Sequence, residues 1–302
     1  MTLTLIRPDG PSFDDPSFTR RALAAGLFAG YAAAAFAADA EPIHTDAAGL
    51  VVQSVHYLSS GFDLPAYVAR PDAPGRFPAV IVVSEIFGLH AYIQDICRRL
   101  AKLGYVAIAP AFFVRVGDPA PLTDITAVVA IVAKASDPQV MDDIAATLDF
   151  LDRQPFVDGA HVGITGFCWG GGEVWLACEQ FRRLRAGVAW YGRMVPPAKG
   201  EPTPSRLWPI DGVGHLHAPV LGLYGGKDGL AAQIPAMRKA LAANGDTSSR
   251  IIIYPDAGHG FHADYRDSYV AADAKDGWAR MLVHFRRYGV APRPFEPRFS
   301  PA

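Results

Sequence analysis

The feature that most constrains the fold of this chain is a cysteine framed by glycines, Gly166-Phe167-Cys168-Trp169-Gly170. A largely apolar run at 161–164 precedes it, and a helix-compatible run at 173–177 follows it. Gly-x-Cys-x-Gly between a strand and a helix is the pattern of a nucleophile elbow, with cysteine in the place of serine. The glycines allow the strand and the helix to pass closely. The pattern therefore predicts a strand, a sharp turn that carries the nucleophile, and a helix.

The chemistry of Cys168 depends on this turn. A thiol at the N-terminus of a helix is favoured as thiolate by the helix dipole. The next amide, that of Trp169, would point at an oxyanion that develops on the substrate. Taken alone, the same residues also fit a small buried cysteine in a glycine-rich turn. Other residues of the chain are needed to distinguish the two interpretations.

Strand-like runs alternate with helix-like runs from residue 50 onward. Runs at 50–58 and 64–70 flank a polar turn and predict an antiparallel hairpin. The continuous apolar run at 79–84 is typical of a parallel strand buried on both faces. Further strands are predicted at 105–110, 161–165, 186–191, 220–224 and 251–254, with helices near 93–100, 141–152, 231–243 and 269–288. This alternation predicts an α/β fold with a mostly parallel central sheet covered by helices on both faces.

Composition excludes several classes of protein. Of the 302 residues 50% are hydrophobic and 19% are charged, which suits one large domain with a sizeable core. A net charge of -2 does not indicate a nucleic-acid surface. Three cysteines do not form a disulfide framework, and the nine histidines show no metal-ligand spacing. We find no dinucleotide or phosphate-loop motif and expect neither a metal nor a cofactor.

Residues 1–40 are predicted to be a twin-arginine signal peptide that precedes a single domain, 41–302. Arg20-Arg21 is followed by an alanine-rich, mildly apolar stretch and by small-x-small cleavage patterns near residues 35–40. The stretch is short and weakly apolar for a membrane-spanning helix, so no stable membrane anchoring is expected after its removal. The prediction is a periplasmic or secreted protein. The alternative is a cytoplasmic protein with an alanine-rich amphipathic helix.

Two further groups follow buried strands. Asp228 comes after the strand at 220–224, and His259 comes after the strand at 251–254. Functional groups gather at the carboxyl ends of parallel strands, and nucleophile, acid, histidine is the chain order of this type of site. His259 would take the thiol proton of Cys168, and Asp228 would orient the imidazole. Each residue alone is a weak signal, but the ordered set predicts a catalytic triad.

Glu85 is the fourth candidate group, directly after the strand at 79–84. A carboxylate in such a place is unusual unless it is paired or functional. The neighbouring amide of Ile86 is well placed to be the second oxyanion donor. The alternative for Glu85 is a structural salt bridge to Arg98 or Arg115.

Five segments together resemble the dienelactone hydrolase (carboxymethylenebutenolidase) family. They are Val83-Ser84-Glu85-Ile86-Phe87-Gly88, Ala109-Pro110 with Arg115 beyond, Gly166-Phe167-Cys168-Trp169-Gly170-Gly171, Tyr224-Gly225-Gly226-Lys227-Asp228 and Gly258-His259-Gly260-Phe261. The match covers roughly residues 50–288 in order and spacing. The resemblance implies the α/β-hydrolase fold, no cofactor, and hydrolysis of a small ester or lactone through an acyl-thioester intermediate.

The resemblance also assigns roles to single residues. It implies that Glu85 interacts with the resting thiol and helps to activate it when substrate binds, and that Arg115 binds a substrate carboxylate. A second arginine of the family, a few residues past the histidine, has no clear counterpart. His262 and Ala263 occupy that place, and Arg266 lies further on. The family usually works in the cytoplasm, whereas this chain carries a predicted export signal.

Other functions on the same fold are an acyl-transferase or peptidase, or a non-catalytic binding protein derived from a hydrolase. The Pro- and Gly-rich excursion at 194–215 would shape a larger pocket for a peptidase. A binding protein has no need of all four groups at 85, 168, 228 and 259, which argues against that class. The other cysteines, Cys97 and Cys178, fall among apolar residues and are predicted to be packing residues.

Overall fold

The structure of this protein is a computed structural model, and it describes residues 42–197 and 206–298. The predicted signal peptide, 1–40, lies outside the described residues. No helix within the described ranges is long and apolar enough to cross a membrane.

Eight strands form one sheet. They are β1 (Leu50–Ser59), β2 (Phe62–Pro71), β3 (Phe77–Val83), β4 (Val106–Pro110), β5 (Val157–Phe167), β6 (Leu184–Trp190), β7 (Val220–Gly225) and β8 (Arg250–Tyr254). Their order in the sheet is β1-β2-β4-β3-β5-β6-β7-β8. β1 and β2 form the predicted antiparallel hairpin, β2 is also antiparallel to β4, and the remaining neighbours are parallel. The sheet is the mostly parallel one that the sequence predicted.

Seven α-helices connect or follow the strands in the described ranges. They are α1 (Ala91–Lys102), α2 (Ile125–Val132), α3 (Asp137–Asp152), α4 (Trp169–Gln180), α5 (Pro209–Gly212), α6 (Ile234–Ala243) and α7 (Ala271–Arg287). Two short 3-10 helices, Val213–His215 and Gly229–Gln233, complete the set.

Helices cover both faces of the sheet, and two glycines of β5 show this. A Cβ atom on Gly163 would lie 2.9 Å from Phe285 of α7, and one on Gly166 would lie 3.0 Å from Val174 of α4. Positions of opposite parity on one strand point to opposite faces, so α7 and α4 pack on opposite sides of β5. All seven residues of β3, at the centre of the sheet, are buried. That burial is why its sequence is continuously apolar.

Local boundaries differ from the sequence-based ones where capping chemistry decides them. The α3 helix begins at Asp137 rather than at 141, because the Ser136 side chain accepts a hydrogen bond from the Gln139 amide. The α2 helix was not predicted. It is eight residues long, and the carboxylate of Asp124 caps it by accepting from the Thr126 amide at 2.9 Å. The excursion after β6 contains α5 and a 3-10 turn within its described part.

Candidate active site

Cys168 occupies the turn between β5 and α4, as the glycine pattern predicted. Its backbone has φ 58° and ψ -118°, a strained conformation for a residue with a side chain. The flanking glycines are required. A Cβ atom on Gly166 would overlap the carbonyl oxygen of Gly170, and one on Gly170 would lie 2.5 Å from the carbonyl oxygen of Ser84. The turn at Cys168 can therefore form only because Gly166 and Gly170 lack side chains.

The structure brings Cys168, His259 and Asp228 into one chain of contacts. Nε2 of His259 lies 3.3 Å from Sγ of Cys168, and Nδ1 of His259 lies 2.7 Å from Oδ2 of Asp228. The other oxygen of Asp228 accepts a hydrogen bond from the Leu230 amide at 2.9 Å, which fixes the carboxylate. The three residues follow β5, β7 and β8 and are all buried. This is the geometry of a nucleophile, a base and the acid that orients the base.

Burial, rather than the helix dipole, determines the pKa of the Cys168 thiol at rest. Burial raises the pKa of Cys168 well above its usual value, and the charge of Glu85 raises it further. The guanidinium of Arg266 and the backbone amide of Trp169 act in the opposite direction but do not compensate. Cys168 is therefore a thiol at rest. The helix dipole favours thiolate, but its effect is outweighed because the side chain has no contact with solvent.

Glu85 is fully buried, and it is ionised because three neighbouring groups stabilise its negative charge. Oε1 lies 2.9 Å from Nη2 of Arg266 in an ion pair that is not aligned as a hydrogen bond, and the Tyr265 hydroxyl donates to Oε2 at 2.5 Å. Nε2 of His90 lies 3.5 Å from the same oxygen. Burial by itself would raise the pKa of Glu85, but Arg266, His90 and Tyr265 together lower it to about 2.

The alternative salt bridges of Glu85 that the sequence left open are not formed. Arg98 pairs instead with Asp95 at 2.9 Å, on the same helix. Arg115 pairs with Asp143 of α3 at 2.6 Å, donates to the carbonyl oxygen of Ser59 at 3.3 Å and lies over the ring of Phe62 at 4.5 Å. These contacts join the β1–β2 hairpin to α3. These contacts do not test the substrate-binding role that the resemblance implies for Arg115, and only kinetics can decide it.

Arg266 is a site residue to which the sequence analysis gave no role. It is only 1% exposed, its Nε donates to the Tyr265 hydroxyl at 3.0 Å, and its guanidinium lies 5.0 Å from the ring centroid of Phe87. Successive backbone turns shorten the path from the histidine, because the Ala263 amide donates to Gly260 and the Arg266 amide donates to Ala263. Its spacing from His259 is longer than the family pattern suggests. The sequence signal available was the presence of Arg266 within seven residues of His259.

The two predicted oxyanion donors follow adjacent strands. β3 pairs with β5 so that Val83 is opposite Gly166; Ile86 lies in the loop after β3, and Trp169 is the first residue of α4. Within the described part of the chain, no hydrogen-bond acceptor is found for the Ile86 amide. An amide without an internal acceptor at this edge of the sheet is available to a developing oxyanion.

All three cysteines are free, and Cys97 and Cys178 are buried like Cys168. Burial raises the pKa of both, and neither has an imidazole contact of the kind that Cys168 has. Among residues 42–197 and 206–298, no three His, Cys, Asp or Glu side chains are grouped so as to hold a metal ion.

The sequence model of the Dienelactone hydrolase family matches residues 64–289, which is most of the chain. This chain belongs to the dienelactone hydrolase family. Membership confirms the resemblance inferred from the five segments and the fold expected from it. It also supports a hydrolase that acts on lactones or esters.

Several relatives resemble this chain over most of its length. A protein of Methylorubrum extorquens named "Putative carboxymethylenebutenolidase" is 46% identical over 276 residues, which cover 90% of this chain and 94% of the relative. A "Probable 2-oxo-3-(5-oxofuran-2-ylidene)propanoate lactonase" of Bradyrhizobium is 32% identical over 222 residues, 73% of this chain and 88% of the relative. The crystal structure of a "Putative Dienelactone Hydrolase" from Klebsiella pneumoniae has a TM-score of 0.74 and 44% identity, and covers 79% of this chain and 99% of that one.

Proposed function

We propose that this protein hydrolyses a small lactone or ester through an acyl-thioester intermediate on Cys168. The observation that carries the proposal is the continuous contact from Sγ of Cys168 through the imidazole of His259 to the carboxylate of Asp228. A serine elbow with the same partners is the usual arrangement of hydrolases of this fold, and a thiol performs the same acyl transfer.

In the acylation step, Nε2 of His259 takes the proton of the thiol as sulfur attacks the carbonyl carbon. The C–S bond forms, and the negative charge of the tetrahedral intermediate lies at the amides of Ile86 and Trp169. The intermediate collapses with cleavage of the C–O bond, and the leaving oxygen takes the proton from His259. Asp228 holds the imidazole in the required tautomer and stabilises the imidazolium.

In the deacylation step, water attacks the thioester carbonyl while His259 takes its proton. The new C–O bond forms, the C–S bond breaks, and His259 returns the proton to sulfur. The products are a carboxylic acid and the alcohol or enol of the substrate. For a lactone, both groups stay on one molecule.

The substrate class that we propose is a lactone that carries a carboxylate. Nη1 and Nη2 of Arg266 are buried and have no hydrogen-bond acceptor among the described residues, although Nη2 faces Glu85. A substrate carboxylate would compete with Glu85 for this guanidinium in two-point fashion. The role that we propose for Glu85 in activating Cys168 depends on this exchange of partners, and His259 remains the acceptor of the thiol proton. The propanoate lactone in the name of the Bradyrhizobium relative is of this chemical class.

Hydrolysis of p-nitrophenyl acetate, with and without iodoacetamide, tests the proposed function. We expect turnover that stops when one thiol is alkylated, and peptide mapping should place the label on Cys168. Cys168→Ala should lower kcat by several orders of magnitude, as other nucleophile deletions do. Cys178→Ala, which removes an equally buried thiol, should leave kcat unchanged. Near-normal turnover by Cys168→Ala would show that the mechanism is wrong.

A further inference from the structure

Tyr191 lies in the site but has no role in the steps above. It directly follows β6, it is completely buried, and its ring packs edge-on against the imidazole of His259 with centroids 5.1 Å apart. The amide of Cys168 donates to the carbonyl oxygen of Trp190 at 2.9 Å, so Tyr191 directly follows a residue that contacts the nucleophile.

The backbone of Tyr191 is strained and firmly held. Its φ is 41°, a region that residues with a bulky side chain rarely adopt. The Tyr191 amide donates to the carbonyl oxygen of Leu223 at 2.8 Å, and the next carbonyl, of Gly192, accepts from Tyr224 at 2.9 Å and Gln233 at 3.3 Å. Strain that the surroundings over-determine in this way is concentrated at functional sites.

The hydroxyl of Tyr191 is also unsatisfied. Among the buried tyrosines of the described chain, it is the one whose oxygen has no hydrogen-bond partner. The hydroxyl of Tyr105, by contrast, donates to the carbonyl oxygen of Val290 at 3.0 Å. Buried phenol groups normally find a partner, because an unpaired one is costly to remove from water. Tyr191 thus combines two unfavourable features beside the nucleophile, and a substrate atom would relieve one of them.

We propose that the Tyr191 hydroxyl is a catalytic hydrogen-bond donor to the leaving-group oxygen of the scissile ester or lactone bond. This assignment rests on the proposed hydrolysis. The tyrosine ring packs on His259, the residue that delivers a proton to that oxygen, whereas the amides of Ile86 and Trp169 serve the oxyanion. The hydroxyl makes no hydrogen bond to Sγ of Cys168, so a substrate oxygen would not have to displace an existing partner of the tyrosine.

The donor keeps its proton throughout the step. As the C–O bond breaks, the leaving oxygen gains charge and takes the proton of His259, while the O–H group of Tyr191 only shares its hydrogen. Burial, reinforced by the charge of Glu85, raises the pKa of Tyr191 well above its ordinary value. The group is therefore a donor at working pH and does not act as a base.

A series of acetate esters that share the acyl group isolates this interaction. We expect Tyr191→Phe to lower kcat/KM roughly tenfold for benzyl acetate, whose leaving group is poor, and less than about threefold for p-nitrophenyl acetate. Phenyl acetate should lie between them. The matched control is Tyr105→Phe, which removes another buried hydroxyl and should leave kcat/KM unchanged for all three esters.

Thermal unfolding provides the second readout. Tyr191→Phe removes an unpaired hydroxyl and should keep or raise Tm, whereas Tyr105→Phe loses a hydrogen bond and should lower it. An equal loss for all three esters, an unchanged kcat/KM, or a lowered Tm for Tyr191→Phe would each overturn the assignment. If the wild-type protein hydrolysed none of the esters, the proposed function itself would fail, and the two failures are thus distinct.

Discussion

At the scale of single residues, burial acts on both Cys168 and Glu85, but only Glu85 is ionised. Burial disfavours the charged form of Cys168 and of Glu85 alike. The carboxylate is nevertheless ionised, because Arg266 lies 2.9 Å from it, whereas the thiol has a neighbouring carboxylate charge and stays protonated. A protonated, buried thiol is a poor target for oxidation. The arrangement delays thiolate formation until a substrate changes the charges.

Substrate charge discrimination is predicted to depend on Arg266. Arg266→Lys keeps the positive charge beside Glu85 but loses the two-point grip. It should raise KM for a butenolide that bears a carboxymethylene group by an amount equivalent to about 2 kcal/mol. The methyl ester of the same lactone, which is neutral, should be affected much less. Steady-state kinetics on this substrate pair provide the measurement.

Arg115→Lys is the matched variant for this comparison, because Arg115 is the carboxylate ligand that the family resemblance implies. Its pairing with Asp143 at 2.6 Å leads us to expect little change in KM for either lactone. A selective loss for the charged lactone in Arg115→Lys, with none in Arg266→Lys, would return the role to Arg115.

At the scale of secondary-structure elements, the site depends on how closely α4 approaches the sheet. The start of α4 crosses the carboxyl end of β3 at Gly170, where backbone meets backbone. Because Val83 of β3 is opposite Gly166 of β5, the loop that carries Ile86 and the turn at Cys168 begin at the same edge of the sheet. The proposed oxyanion donors and nucleophile therefore depend on this helix–strand contact for their positions.

Gly170→Ala is predicted to separate these elements. The new Cβ atom would lie 2.5 Å from the carbonyl oxygen of Ser84 and 2.6 Å from that of Val83, and neither backbone group can rotate away. We expect a loss of about 3 kcal/mol in the free energy of unfolding, with loss of esterase activity. Gly229→Ala is the control, since a Cβ atom there meets nothing within 4 Å. Urea denaturation of both variants measures the difference, and equal stabilities would contradict this account of the elbow.

At the scale of the whole molecule, the hydrolase is a domain with three free, buried cysteines. We propose that residues 1–40 direct it across a membrane by the twin-arginine route. That route carries folded proteins, so the thiol of Cys168 would already be enclosed when it reaches an oxidising compartment.

Cell fractionation tests this localisation. The wild-type chain should appear outside the cytoplasm in a shortened form that begins near residue 38 or 41. The Arg20→Lys, Arg21→Lys variant should accumulate in the cytoplasm at full length. A wild-type protein that stays uncleaved in the cytoplasm would rule export out.

Several features of this protein follow from its sequence alone, because their causes are local. The elbow depends on glycines two residues from Cys168, the buried strands depend on uninterrupted apolar runs, and the order of Asp228 and His259 depends on which strand each follows. Boundaries such as the start of α3 were missed by a few residues because side-chain capping shifted them.

Only the tertiary structure decided what surrounds these groups. Tyr265 and Glu85 are 180 residues apart in the chain, and their hydrogen bond, like the ion pair of Glu85 with Arg266, exists only after the sheet has assembled. The protonation of Cys168 follows from burial, and the hydroxyl of Tyr191 is unpaired on a strained backbone whose amide bonds to the distant Leu223 carbonyl. Local patterns specify strands and turns, whereas desolvation and long-range pairing arise from packing, which no short stretch of sequence contains.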